Sequence, residues 1–162
     1  MLQKKICILG GTGVGKTSLV KQYVEGIFSE KYLTSIGVKI DKKQVMICPP
    51  VQLMIWDLEG IDKYCGFNPR YLRGASGMII VSDQTRLNSL AESMEIFSLA
   101  KNTVNIPSIL AVNKTDLPAS MNWDESILQN HANQFDKIHF TSAKTGLDVE
   151  SLFTSIAKLV SA

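Results

Sequence analysis

The most constraining feature of this chain is a glycine-rich segment between a short apolar run and a run of helical period. Residues 10–17 read GGTGVGKT and satisfy the pattern GxxxxGK[ST]. Ile6–Leu9 predicts a buried strand before this segment, and Lys16–Glu25 predicts a helix after it. Glycines let backbone N–H groups turn toward phosphate oxygens, and the helix adds its positive N-terminal end. The sequence predicts a phosphate-binding loop, for which the alternative is a glycine turn that matches by chance; the loop alone does not choose between ATP and GTP.

Two side chains of this loop carry specific chemistry. We expect Lys16 to neutralise charge on the β- and γ-phosphates and the Thr17 hydroxyl to ligate Mg²⁺. Mg²⁺ is therefore the expected cofactor, with the nucleotide as the bound ligand.

Composition limits the classes of protein to which the chain can belong. Its 162 residues, 45% hydrophobic and 20% charged, predict one domain over residues 1–162. The formal net charge of +2, from 17 basic and 15 acidic residues, argues against a nucleic-acid partner. Cys7, Cys48 and Cys65 fit neither a disulfide framework nor a CxxC metal site, so we expect reduced thiols in a cytoplasmic protein. The apolar run after Met1–Lys5 is too short for a signal peptide or a membrane span.

Short apolar runs alternate with segments of helical period, which is typical of a three-layer α/β domain with a largely parallel sheet. Continuously apolar runs predict central strands at Ile6–Leu9, Met78–Ser82 and Ile109–Val112. Val38–Ile47 and Val51–Asp57, joined by Cys48-Pro49-Pro50, predict an antiparallel hairpin toward one edge, and a sixth strand is predicted at Lys137–Phe140. Helices are predicted at Lys16–Glu25, Leu87–Asn102, Asn122–Gln134 and Val149–Leu159, with Asn122 as an N-cap and Asp124 and Glu125 in the first turn of the third.

A second motif, Asn113-Lys114-Thr115-Asp116, follows the end of a predicted strand, where ligand-binding loops of open α/β sheets gather. A carboxylate there can accept two hydrogen bonds from the N1–H and 2-amino groups of guanine. Adenine lacks that pair of donors and would leave a buried Asp116 without partners. The motif favours guanine, although four residues alone are a weak signal.

Two further motifs strengthen this interpretation. Trp56-Asp57-Leu58-Glu59-Gly60 and Thr141-Ser142-Ala143-Lys144 occur in order with the first two, and the four together resemble the G motifs of the Ras superfamily. Residues 32–38 (YLTSIGV) and 71–77 (YLRGASG) are similar to Rab sequences, and the resemblance extends from about Lys4 to Val160. It implies a P-loop NTPase G domain with a six-stranded, mostly parallel mixed sheet and about five helices.

The resemblance also implies roles for individual residues. Asn113 and Asp116 would hold the guanine loop and base, Lys114 and Lys144 would cover the two faces of the ring, and Ala143 would offer its backbone N–H to the guanine oxygen. Phe28 would pack edge-on against guanine, the alternative being a core phenylalanine. The implied nucleotide-binding set is Gly11, Thr12, Gly13, Val14, Gly15, Lys16, Thr17, Ser18, Phe28, Ser35, Gly60, Asn113, Lys114, Asp116, Ser142, Ala143 and Lys144.

The same resemblance predicts a conformational switch. Asp57 would reach Mg²⁺ through water, Thr17 and Ser35 would complete the metal set, and the Gly60 N–H would meet the γ-phosphate of GTP. Because that contact exists only with the triphosphate, its loss would release the flanking segments, about Ile27–Lys39 and Leu58–Arg73.

Several residues depart from the family pattern, among them Leu58-Glu59 in place of the usual Thr-Ala. Family members usually carry Gln after the glycine of the WDxxG motif, where its amide orients the attacking water, but this chain has Ile61. Glu59 adds a carboxylate beside the expected γ-phosphate; it would weaken GTP binding, act as a substitute for the glutamine, or simply be a solvated loop carboxylate. Ser35 stands where the family has Thr, with Thr34 before it, so the oxygen ligand is retained or the loop is shifted. The expected catalytic set is Lys16 and Gly60, with Ile61 as a degenerate position and Glu59 as a suspect.

The predicted function is a slow GTPase switch that binds protein effectors, with exchange and activating factors at its switch segments. We expect a cytoplasmic monomer with an apolar recognition surface formed by Ile27, Ile36, Val38, Ile40, Trp56, Ile61 and Tyr71. Lys158–Ala162 contains no cysteine and no polybasic run, so no lipid anchor is visible; either a tail lies outside this sequence or the protein acts without one.

Two rival functions remain open from the sequence. The first is a nucleotide-locked pseudo-GTPase that serves as a protein-interaction module, which Ile61 and Glu59 favour. The second is an ATP-dependent P-loop kinase, against which Asp116 argues.

Overall fold

A central sheet of six strands organises the chain in the computed structural model, which describes residues 1–28, 38–58, 68–121, 123 and 125–162. The strands are β1 (Leu2–Gly10), β2 (Val38–Val45), β3 (Val51–Leu58), β4 (Ala75–Asp83), β5 (Ser108–Asn113) and β6 (Lys137–Phe140). Their order across the sheet is β2-β3-β1-β4-β5-β6. The apolar strand β1 therefore lies inside the sheet, and the polar strand β2 lies at an edge, as the hydrophobic pattern predicts.

Strand pairing confirms the mixed sheet. β2 and β3 pair antiparallel, whereas β3 with β1, β1 with β4, β4 with β5 and β5 with β6 pair in parallel. The parallel register of β1 and β3 sets Ile8 opposite Asp57. This register brings the loop after β1 beside the polar end of β3.

The described residues form four α-helices and two short 3₁₀ helices, where about five helices were expected. The α-helices are α1 (Lys16–Glu25), α2 (Ser89–Thr103), α3 (Glu125–His131) and α4 (Val149–Ser161), and the 3₁₀ helices are Pro69–Leu72 and Ala132–Gln134. α1 has the predicted bounds.

Three helices differ at their ends from the prediction, and in α4 the difference is an end at Ser161 instead of Leu159. α2 begins two residues late because Asn88, at φ 67°, adopts a left-handed conformation that interrupts the helix before Ser89. α3 ends at His131 and continues as the 3₁₀ turn. Glu125 lies in its first turn as predicted, whereas Asn122 and Asp124 lie outside the described residues.

Apolar side chains cover both faces of the sheet and give the predicted three layers. α1 and α4 pack on one face, where Tyr23 stacks on Phe153 with 4.1 Å between ring centroids. α2 and α3 pack on the other, where Phe97 stacks on Phe135 at 4.3 Å. Burial of each such aromatic side chain stabilises the fold by about 1.5–3 kcal/mol relative to its exposure.

Burial shifts the pKa of two side chains with acidic protons in these layers, the fully buried Cys7 and the half-buried Tyr23. Burial raises the pKa of the Cys7 thiol to about 11, against the opposing effect of Lys5. Burial, with a smaller contribution from Glu150, raises the pKa of Tyr23 to about 12. Cys7 and Cys48 are both free thiols, as expected, and Cys65 lies outside the described residues.

None of the helices in the described residues has the length and apolar character needed to cross a membrane.

Close packing of β4 against α4 leads to a stability prediction. A Cβ added to Gly77 would lie 2.7 Å from Val160 Cγ1 and 3.0 Å from Ile156 Cδ1. Gly77→Ala should therefore overpack this contact and lower the free energy of unfolding by about 1–3 kcal/mol, measured by urea denaturation. Ser76→Ala, at the half-buried neighbouring position on the strand, is the matched control. Equal stability of the two variants would contradict this packing.

Candidate functional site

The loops that follow the parallel strands bring the motif residues to one edge of the sheet. β1 ends at Gly10, β3 at Leu58, β4 at Asp83, β5 at Asn113 and β6 at Phe140. The carboxyl ends of parallel strands share an edge, and open α/β sheets bind ligands there. The structure therefore brings together motifs that are separated by more than a hundred residues in the sequence.

Five successive carbonyl groups at the end of β1 and in the loop after it, from Gly10 to Val14, accept hydrogen bonds from side-chain donors. Lys16 Nζ donates to the carbonyl oxygens of Gly10 at 3.0 Å and Gly11 at 2.9 Å. The three carbonyls that follow accept from other elements: Thr12 from Arg86, Gly13 from Lys114 at 3.0 Å, and Val14 from Asn113 at 3.0 Å. In a trans peptide the C=O and N–H groups point in opposite directions, so carbonyls held by surrounding side chains turn the N–H groups toward the other side of the loop. This is the geometry of an anion-binding nest.

Gly15 allows the loop to pass against Asn113. Its φ is 102°, and a Cβ at this position would lie 2.3 Å from Asn113 Nδ2. A side chain would therefore strain the backbone and displace the amide that holds Val14. α1 begins directly after Gly15, so its positive N-terminal end faces the loop.

Thr17 and Asp57 bring two side-chain oxygens together beside the loop. The Thr17 hydroxyl donates to Asp57 Oδ2 at 2.5 Å, and Asp57 is fully buried. Hydroxyl and carboxylate oxygens are ligands that Mg²⁺ prefers, and this ion usually takes one or two protein ligands and completes its coordination with water and phosphate oxygens. The pair fits such an ion. Among the described residues, no cluster of three or more His, Cys, Asp or Glu side chains that could hold a metal ion occurs.

Asn113 joins the phosphate loop to the TSAK segment. Its Nδ2 donates to Val14, while its Oδ1 accepts from Thr141 Oγ1 at 3.1 Å and from the Ala143 N–H at 3.3 Å. The side chain is almost fully buried, with 1% of its surface exposed. A buried amide with all these partners holds the two loops at a fixed separation.

Asp116 differs from the prediction. Its Oδ1 accepts from Ser142 Oγ at 2.8 Å, as the pairing of the two motifs suggests, but the residue is exposed rather than buried. The reason is its place in the chain, because it lies three residues beyond the end of β5 on a surface loop. The carboxylate is oriented by Ser142 without being desolvated by the protein.

The other residues that were predicted to bind nucleotide differ in their surroundings. Lys114, at φ 65°, directs its ammonium group to Gly13 and to Asp83 Oδ2 at 2.8 Å. Lys144 is exposed, Ser18 is half-buried in the first turn of α1, and Phe28 is 38% exposed, which excludes the alternative of a core phenylalanine. Ser35, Glu59, Gly60 and Ile61 lie outside the described residues, as do most of the two predicted switch segments.

Sequence reasoning missed several residues that support the site. Asp83, fully buried at the end of β4, pairs with Lys114, and its position after an apolar strand was the signal that could have revealed it. Gln22 on α1 donates from Nε2 to the Ala143 carbonyl at 2.8 Å, so the helix after the phosphate loop also holds the TSAK segment. Arg86 contacts Thr12 from the loop after β4. For Gln22 and Arg86 no motif or spacing gave a signal.

Comparison with known proteins agrees with this site. The model of the Ras family matches residues 5–162. The Ras-related protein Rab-7a of Paramecium octaurelia is 33% identical over 163 aligned residues, which cover 95% of this chain and 79% of that protein. The Ras-related protein Rab-1 of Theileria parva is 36% identical over 160 residues, which cover 95% of this chain and 72% of that protein. The chain therefore belongs to the Ras family, as a Rab-like small GTP-binding protein in a family whose members are generally GTPases.

Proposed function

We propose that this protein is a guanine-nucleotide switch that binds GTP and GDP with Mg²⁺, hydrolyses GTP slowly, and recognises protein partners in its GTP state. The observation that carries the proposal is the set of five successive loop carbonyls, Gly10 to Val14, each bonded to a side-chain donor. Such a loop offers its N–H groups to phosphate oxygens, and the start of α1 and the Lys16 ammonium add positive charge.

Mg²⁺ would be held directly by Thr17 and through water by Asp57, together with phosphate oxygens, with Ser35 as a further proposed ligand. The contact between the Thr17 hydroxyl and the buried Asp57 carboxylate supports this assignment, because it sets a direct ligand beside an acceptor for a metal-bound water. The ion supplies charge neutralisation for the β- and γ-phosphates when bound. Lys16, buried to 1% exposure beside the loop, supplies a second positive charge from the protein itself.

Guanine selectivity would come from Asp116. Its carboxylate is oriented by Ser142 and can accept hydrogen bonds from the two donors of guanine. Asn113 and Ala143, which are hydrogen-bonded to each other, would support the base. Because Asp116 is exposed, the bound base itself would desolvate it. Adenine would then cover a carboxylate that it cannot satisfy, which would disfavour adenine nucleotides.

A base-specific substitution tests this assignment. Asp116→Ala should lower GDP affinity on the order of a hundredfold, because it removes two hydrogen bonds to a charged acceptor. Affinity for IDP, whose base lacks the 2-amino group, should fall less, so the preference for GDP over IDP should shrink. Competition against fluorescent GDP measures the affinities for GDP and IDP and hence their ratio. The control is Glu125→Ala, which removes an exposed carboxylate on α3. An unchanged GDP to IDP ratio, or effective displacement of GDP by ATP in the wild type, would overturn the guanine assignment.

Slow hydrolysis is proposed from the residues after the WDxxG motif. Ile61 can neither donate to nor accept from an attacking water, so an element of the phosphoryl-transfer machinery is missing. Glu59 would repel the γ-phosphate, substitute for the missing amide, or remain solvated. The alternative function is a pseudo-GTPase that uses nucleotide as a structural ligand, and it differs from the main proposal in turnover alone.

Single-turnover GTP hydrolysis separates these possibilities. Ile61→Gln should raise the rate constant by about 10²-fold, the typical effect of correct positioning, whereas Ile61→Leu should leave it unchanged. Glu59→Ala should lower the rate only if the carboxylate substitutes for glutamine. A wild-type rate equal to that of active relatives, with no gain from Ile61→Gln, would contradict the proposed defect. No turnover by either protein would favour the pseudo-GTPase.

The proposed partner surface includes the exposed face of the β2–β3 hairpin. Ile40, 46% exposed, lies directly opposite Trp56 in the antiparallel register, and Tyr71 is 37% exposed. Lys5 lies over the Trp56 ring, with Nζ 3.8 Å from its centroid, which adds a cation beside these aromatic groups. Effectors and exchange and activating factors are proposed to bind here and at the switch segments. We further propose a single domain that acts as a cytoplasmic monomer.

A further inference from the structure

Among the described residues, Arg86 is the one side chain from outside the four G motifs that bonds a carbonyl between Gly10 and Val14. Lys16, Asn113 and Lys114, which hold the other four, belong to the phosphate-loop and base motifs. Arg86 instead comes from the loop between β4 and α2, where its Nη1 donates to the Thr12 carbonyl and its Nη2 donates to Glu92 Oε2 at 3.2 Å. The guanidinium therefore bridges α2 and the outer face of the phosphate loop.

The backbone that carries Arg86 is fixed on both sides. The Arg86 N–H donates to the Asp83 carbonyl, and the Arg86 carbonyl accepts from the Ser89 N–H, each at 3.3 Å. Asp83 Oδ1 accepts from the Thr85 N–H at 2.8 Å and from the Thr85 hydroxyl at 2.6 Å. These bonds make the loop compact and set the side chain of Arg86 over Thr12.

Glu92 occupies the space that Gly11 leaves open. A Cβ on Gly11 would lie 2.8 Å from Glu92 Oε2, so the carboxylate packs directly on the loop backbone. The Arg86–Glu92 pair is 36% and 48% exposed, and exposed ion pairs contribute little stability by themselves. The ion pair instead orients the Arg86 guanidinium, because Glu92 accepts from Nη2 while Nη1 donates to the Thr12 carbonyl.

We propose that Arg86 is a positioning residue for nucleotide phosphate. The Thr12 carbonyl and the Gly13 N–H belong to one peptide unit and point in opposite directions. By holding the carbonyl outward, Arg86 keeps the Gly13 N–H directed into the loop, where it donates to a phosphate oxygen. Gly13, at φ 79°, lies in a region that glycine visits without preference, so the bond to Arg86 restricts a peptide that would otherwise rotate.

This inference rests on the proposed nucleotide binding and predicts a phosphate-specific defect. Arg86→Ala should speed dissociation of fluorescent GDP by about tenfold, the effect of losing one hydrogen bond to a charged donor. Arg86→Lys should recover this loss in part, because an ammonium keeps the charge without the two-pronged geometry. Competition by guanosine, which has no phosphate, should be unchanged in both variants. Lys158→Ala, an exposed cation on α4 outside the proposed switch segments, is the control.

Two further measurements separate a role of Arg86 in positioning the Gly13 N–H from a role in the stability of the whole fold. The thermal midpoint of the nucleotide-free protein should be the same for Arg86→Ala and Lys158→Ala. The amide resonance of Gly13 in ¹⁵N–¹H spectra should shift in Arg86→Ala, in both the free and the GDP-bound protein.

The outcomes distinguish this inference from the proposed function. A wild type that binds no guanine nucleotide would overturn the proposed function and this inference with it. A wild type that binds GDP, with GDP dissociation from Arg86→Ala equal to that from Lys158→Ala, would overturn this inference alone. An equal loss of guanosine and GDP binding, or complete recovery by Arg86→Lys, would also overturn it.

Discussion

The hydrogen bonds that hold the phosphate-loop carbonyls outward are the interaction on which the rest of the site depends. A glycine-rich loop has many accessible conformations. Its backbone N–H groups point together into the loop as long as its carbonyl groups are hydrogen-bonded to side chains on the outside. Lys16 holds the first two carbonyls from the start of α1, and Asn113 and Lys114 hold the last two from the end of β5. Because these donors lie on separate elements, the loop conformation depends on the correct packing of α1 and β5 around it.

The same bonds couple the phosphate and base halves of the site. Asn113 touches Val14 on one side and Thr141 and Ala143 on the other, and Gln22 bonds α1 to the Ala143 carbonyl. A displacement of the phosphate loop would therefore move residues 141–144, where we propose that the base binds. Asp57 and Thr17 extend the network to β3, so the proposed metal ligands share this support. One hydrogen-bonded unit can then respond to phosphate, metal and base together.

Much of this arrangement could be predicted from the sequence because its signals are local. Glycine spacing, an apolar strand and an amphipathic run gave the phosphate loop and both ends of α1, and the proline-containing link gave the antiparallel pairing of β2 and β3. Contacts between distant elements carry no such pattern. In the sequence, Arg86 and Gln22 belong to no motif, and only the fold brings them to Thr12 and Ala143. The exposure of Asp116 likewise depends on the path of the loop after β5. Asn88 interrupts the start of α2 through its backbone conformation, which hydrophobic periodicity does not report.

The most direct test of the account is isothermal titration of the nucleotide-free protein with GDP and with ADP, each in the presence of Mg²⁺. A loop that binds phosphate beside an oriented Asp116 predicts one GDP per chain, bound about 10³-fold or more tighter than ADP, because adenine would leave a covered carboxylate without donors. Removal of Mg²⁺ should weaken GDP binding, since Thr17 and Asp57 would lose the cation that joins them to phosphate. Equal affinity for the two nucleotides, or no binding of either, would contradict it.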